Sequence, residues 1–247
     1  MGIRSLRGRM VPPLFRLYQA IWVALDWLYP PQCAGCKESG FRWCEECQNN
    51  TPKVSKEHCI FCQSRLPKSG VCACIEERNQ YLDKVFAWGL HTGPLRQALH
   101  RLKYRRDLGL GEVLARQLIL IAEENTLPQD VIIPIPLGKR RRNERGYNQT
   151  ALLARPLALA LNISYRPGGL KRIRETKSQV GLSVAQRREN VRGAFEAVPK
   201  FISGRRVLLV DDVMTTGATL ESAAQALKNA GAADVQGLTL AKTVKFV

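Results

Sequence analysis

The sequence predicts an α/β domain built on a parallel sheet and preceded by a small cysteine-rich metal module. All eight cysteines fall between Cys33 and Cys74, in three CxxC pairs and one CxC pair. Beyond residue 81, short apolar runs alternate with runs of helical periodicity. The chain then ends on a strand, turn, helix, strand sequence, the pattern of parallel strands joined by crossover helices.

Taken in order, residues 1–29 form an amphipathic segment. The apolar stretch 14–29 is interrupted by Arg16 and Asp26, so no uncharged run approaches the ~20 residues of a membrane span. A basic start followed by an apolar stretch imitates a signal peptide, but no small-residue cleavage site precedes Pro30. The expectation is a helix or tail packing on a cytoplasmic protein. Residues 30–76 are rich in turn formers and poor in periodic apolar runs, as expected where metal replaces a core.

The cysteine spacing is Cys33-x2-Cys36-x7-Cys44-x2-Cys47, then Cys59-x2-Cys62-x9-Cys72-x1-Cys74. Two tetrahedral zinc sites of four cysteines each use every thiol, paired sequentially or interleaved. Disulfides are disfavoured by the paired spacing and by the compartment. Four thiolates leave no coordination position for a catalytic water, so the role of zinc is structural. His58, beside Cys59, is read as a bystander, and His91 and His100 lie outside any cluster.

Residues 81–247 carry the α/β domain. VFAWGL (85–90) reads as a strand, LRQALHRLKY (95–104) and residues 110–122 as helices, VIIPIPL (131–137) as a buried strand, and about 148–161 as a helix. Residues 166–194 are basic and weakly periodic, hence an exposed, mobile insertion of the kind that closes over ligands. RVLLV (206–210) is a buried strand, 211–217 a turn, 218–229 a helix stopped by Gly231, and 235–241 the last strand.

The run VLLVDDVMTTGATL (207–220) couples an apolar strand, two acids, a small-residue loop and a helix start. Gly217, Thr216 and Ala218 let backbone N–H groups approach an anion, the helix start adds its positive dipole end, and Thr215, Thr216 and Thr219 add hydroxyl donors. Asp211 and Asp212 at the end of a buried strand are costly unless they bind something, and vicinal ribose hydroxyls or a hydrated Mg²⁺ satisfy them. Phosphate on the loop and ribose on the acids describe a ribose-5-phosphate ligand. The competing interpretation is an ordinary strand-to-helix connection in which an acid or threonine only caps the helix.

The net charge of +17, at a sequence pI near 9.9, favours polyanionic partners: phosphorylated metabolites or nucleic acid. Basic residues cluster at 100–106, 139–145, 171–177 and 187–192. KRRRNERGYNQ (139–149) offers arginines to phosphates and Tyr147 to a stacked base. A solvated helix start is the plain alternative.

Taken together these blocks resemble the ComF/GntX family. CAGC, CEEC, CIFC and CAC are similar to its double zinc ribbon, VLLVDDVMTTGATL to the phosphoribosyl pyrophosphate (PRPP) motif of type I phosphoribosyltransferases, and LKYRRDLGLGEVLA, IPIPLGKRRRNERGYNQTALLA and RETKSQVGLSVAQRRENVRGAF to its intervening blocks. The resemblance implies a type I phosphoribosyltransferase-like domain binding PRPP with Mg²⁺ through Asp211, Asp212 and residues 215–219. It places the 134–137 turn near the pyrophosphate. Lys139, Arg142, Arg145 and Lys177 become candidates for pyrophosphate or nucleic-acid phosphate contacts. It further implies single-stranded DNA and competence or DNA-handling proteins as partners. The hood that reads an acceptor base in biosynthetic relatives is not legible here, which leaves binding without turnover beside a true transferase.

Overall fold

The computed structural model describes residues 11–70, 72–75, 81–127, 129–176 and 183–244. Five strands form the main sheet: β1 (Lys84–Leu90), β2 (Val131–Pro134), β3 (Ser164–Tyr165), β6 (Arg206–Met214) and β7 (Asp234–Lys242), in the order β1-β7-β6-β2-β3. Every pairing in it is parallel. The central strand β6 shows why its sequence is continuously apolar. Val207 and Leu209 belong to one core while Leu208 and Val210 belong to the other, so both faces are covered.

Helices α3 (Gly93–Tyr104), α4 (Leu108–Glu124) and α6 (Gln149–Leu161) supply the first core through fully buried Leu99, Leu114 and Leu157. Helix α9 (Ala218–Asn229) supplies the second through Leu220, Ala223 and Leu227. Asn148 caps α6, its side chain accepting from Thr150 N, which fixes where that helix starts.

Helix α1 (Pro13–Leu28) lies on α6 through buried Phe15. Its Asp26 accepts from Arg42 Nε at 2.8 Å, and Arg42 also pairs with Asp107 at 2.5 Å. Asp107 caps α4 and pairs with Arg101 of α3 at 2.9 Å. One arginine from the cysteine-rich module therefore joins α1, α3 and α4. Gly109 makes room for it, because a Cβ there would stand 2.5 Å from Arg42 Cζ. A short helix of the same module, α2 (Glu45–Asn49), starts on Cys44 and packs on α3. No helix among the described residues is long and apolar enough to cross a membrane.

Three expectations change. β2 ends at Pro134, three residues short of the expected 137, although Ile135 N still donates to Val210 O of β6. β6 continues through both acids to Met214, with Asp211 opposite Thr239, so the acids lie within a strand and the turn begins at Thr215. The segment 166–194, read as a loose insertion, is structured where described. β4 (Leu170–Arg172) pairs antiparallel with β5 (Phe195–Ala197), and α7 (Val184–Val191) starts on a Ser183/Gln186 capping box. Ser222 of α9 donates to Val191 O, tying α7 to the core. The one-turn helix α8 (Pro199–Ile202) then leads from β5 toward β6 and buries Ile202 in the second core.

Candidate functional site

The acids and the small-residue loop meet at the carboxyl end of the parallel strands, the edge where α/β proteins hold ligands. The turn after β2 is brought alongside by register, with Pro134 opposite Val210 and Ile135 N donating to Val210 O at 2.9 Å. Gly217 adopts a left-handed φ of 83° as the N-cap of α9, a conformation that glycine reaches without strain. The Thr216 hydroxyl accepts from Ala218 N at 3.4 Å. Lys242 is 2% exposed and donates to Thr215 O and Thr243 O, placing a cation against the backbone of the loop.

Asp211 and Asp212 are both buried. Asp211 Oδ1 accepts from Asp212 N at 2.8 Å, and Asp212 Oδ2 pairs with Lys103 Nζ at 2.5 Å. Burial, then the charge of Asp212, push the Asp211 carboxyl well above the usual carboxylate range. Burial opposes ionisation of Asp212 too, but the Lys103 ammonium outweighs it and holds that carboxyl below the usual range. The two carboxyls are thus pushed in opposite directions, as expected of acids sharing a buried site.

Around the pair, Arg172 of β4 is half-buried, and burial followed by the charge of Arg141 lowers its pKa. Burial, then Lys103, lowers that of His91. Arg145, on α5 (Lys139–Arg145), donates to Gln149 Oε1 at 2.8 Å and lies over the Tyr104 ring at 5.0 Å. Lys139 and Arg142 on the same helix are exposed. Glu175 Oε1 accepts from Arg140 N at 3.3 Å and packs on Gly138, where a Cβ would lie 2.4 Å from Glu175 Oε2. Tyr147 donates to Leu102 O, so it braces α3 and is not presented for stacking. Lys177 lies outside the described residues.

Asp211 and Asp212 near the end of β6, the loop at 215–217 and the start of α9 thus form one continuous candidate segment, and the charge of Arg145 acts on Asp212. Sequence reasoning missed Lys103, Lys242 and Arg172 as members of the site. Lys103 stood inside a basic cluster without any sign of its partner, and Lys242 lay one residue past the expected end of the last strand.

The thiols form two separate quartets, Cys33/Cys36/Cys44/Cys47 and Cys59/Cys62/Cys72/Cys74, each with its sulfurs within 4.8 Å of one another. The sequential pairing is the one the fold adopts. Gly35 N and Cys44 N donate to Cys33 Sγ at 3.4 Å each, and Cys47 N donates to Cys44 Sγ at 3.4 Å, the outer donors a bound thiolate needs. Burial opposes thiolate formation at Cys33, yet such donors lower its pKa to about 6. Donor chemistry and spacing fit two tetrahedral zinc ions. His58 bonds Ser55 and belongs to neither quartet.

Residues 24–76 match the double zinc ribbon domain and residues 140–244 the phosphoribosyl transferase domain. The chain is 33% identical over 220 residues to competence protein F of Haemophilus influenzae, covering 85% of this chain and 90% of that protein. It is 38% identical over 213 residues to DNA utilization protein YhgH of Escherichia coli K12, with coverage of 81% and 90%. It is 27% identical over 209 residues to competence protein ComFC of Bacillus subtilis, with coverage of 81% and 84%. Glutamine PRPP amidotransferase from B. subtilis superposes with a TM-score of 0.40 at 23% identity, over 56% of this chain and 30% of that one, so under a third of that enzyme is matched. With a double zinc ribbon leading into a parallel-sheet phosphoribosyltransferase-like fold, and with relatives of this similarity along most of its length, the chain belongs to the ComF/GntX family.

Proposed function

We propose that this segment lines a crevice that binds PRPP or a related ribose phosphate. The 5′-phosphate takes the backbone N–H groups and hydroxyls of residues 215–219, and the ribose hydroxyls take Asp211 and Asp212. The diphosphate points toward the 134–137 turn, with Arg145, Lys139, Arg142 and Lys177 on its flank. The observation carrying this reading is the run of buried acids, left-handed Gly217 and helix start in one continuous segment, with Lys242 against the backbone of the loop. Mg²⁺ bound to the diphosphate supplies charge neutralisation of the leaving group. Calorimetric titration of PRPP with Mg²⁺ into the zinc-loaded protein tests it. Heat should be released by the wild type and vanish in the Asp211→Asn/Asp212→Asn protein, and a silent wild type ends the proposal.

The second part of the reading is single-stranded DNA, handled in the cytoplasm, where reduced thiols remain free to hold zinc. The charge of +17 exceeds what one small phosphorylated ligand requires, and relatives carry the names competence protein and DNA utilization protein. Arg140, Arg141 and Arg142 follow one another on the basic helix α5. Neutralising them should weaken binding and flatten its dependence on salt. Binding that survives unchanged assigns the DNA elsewhere, and no binding at low salt ends this part. A transferase would instead release pyrophosphate only when an acceptor base is added.

A further inference from the structure

The ribose end of the crevice is not an open acidic site. Lys103 comes from α3, more than a hundred positions before the acids, and its ammonium contacts Asp212 Oδ2 at 2.5 Å with both side chains largely withdrawn from solvent. The lysine is held there by its neighbours. Leu99 and Leu102 on the same helix are fully buried, Leu102 O accepts from Tyr147, and Arg101 pairs with Asp107 at 2.9 Å. Of the pair's other oxygens, Asp211 Oδ1 is taken by a backbone N–H. Two more cations act on the acids from other elements, Arg145 from α5 on Asp212 and Arg172 from β4 on Asp211. Positive charge from three separate parts of the fold thus acts on the acids, with Lys103 in direct contact.

We propose that Lys103 is a positioning residue that serves as the tethered counter-ion of the acid pair. It keeps Asp212 aligned as a ribose acceptor and bars a free divalent cation from the acids, so that Mg²⁺ enters the crevice only with a ligand's diphosphate. The physical reason is competition for one place. A bare divalent ion on the carboxylates would have to displace the ammonium and then sit close to it, within the field of the Arg145 and Arg172 charges, where like-charge repulsion is strong in a partly desolvated site. A cation already bound to a diphosphate carries net negative charge and meets no such barrier. A ribose diol needs only acceptor oxygens, which the arrangement leaves in place. This extends the ribose-phosphate reading of the crevice, but its decisive measurement uses neither PRPP nor DNA.

The probe is Mn²⁺ alone, added to the zinc-saturated full chain and followed by the loss of the free-ion paramagnetic resonance signal. Wild type and Lys103→Arg should take up no ion attributable to the acid pair. Lys103→Met should bind one Mn²⁺ that wild type does not, and this binding should disappear when Asp211→Asn/Asp212→Asn is added to it. Circular dichroism and zinc content report whether Lys103→Met is folded, and Lys103→Gln, which keeps a polar end on the stem, repeats the test if it is not. A wild type that already binds Mn²⁺ through the acids overturns the proposal, and so does a folded, uncharged variant with no gain. If PRPP fails to bind while the Mn²⁺ pattern holds, the ligand assignment falls and the role of Lys103 stands.

Discussion

Burial and the neighbouring Asp212 charge raise the pKa of Asp211, and this sets a sign for pH dependence. Its raised pKa means the folded chain binds more protons than the unfolded one, so stability falls as pH climbs from about 4, the unfolded value, toward the folded one. Asp212 has the opposite sign. Its contribution is present above the unfolded value and is lost as pH drops through its depressed folded one. Asp211→Asn should therefore lose less stability than wild type as pH rises above about 4, while giving up ribose binding, as expected where a functional site stores strain. Each kcal/mol should appear as a Tm change of roughly 2–4 °C in a chain of this size. Equal slopes in thermal melts of the two proteins would mean that Asp211 is ionised in the fold.

Among the elements, the largest dependence falls on the Arg42 junction, where α1, α3 and α4 meet through Asp26, Asp107 and Arg101. Arg42 is 14% exposed and Asp107 7%, so removing the arginine strands buried charge. Arg42→Ala should cost about 3 kcal/mol or more in urea unfolding, and Arg42→Lys should recover little of it because one ammonium cannot serve two carboxylates as the planar fork does. A loss below about 0.5 kcal/mol, the range of a surface pair, would refute the junction's importance. The same junction shows what the sequence could not reveal. β1, β2, α3, α4, α6 and α9 were legible because each carries its own periodicity and stop signals. Both zinc quartets were legible as ligand sets, since every ligand sits in a short local spacing. Arg42 with Asp107, and Lys103 with Asp212, pair residues whose local contexts say only that they are charged. The 166–194 segment was misread for a related reason. Its strands are three residues long, and Val191, the one side chain of α7 described as buried, is too little to set a period.

Across the whole molecule, two kinds of contact coexist. The zinc quartets are closed by neighbours in sequence, whereas the sheet joins its first strand to its last. β1 runs in register with β7 from Lys84 opposite Gln236 to Leu90 opposite Lys242. During synthesis β1 therefore leaves the ribosome roughly ten to thirty seconds before its partner exists, while all eight zinc ligands emerge ahead of it. A chain ending at Gly231 should bind two zinc ions yet show no cooperative thermal transition, and a sharp melt from that chain would contradict this order. Until the final strand arrives, β1 offers an unpaired apolar edge to any other nascent chain. Strand β7 thus sets how long this edge of β1 stays open to other growing copies.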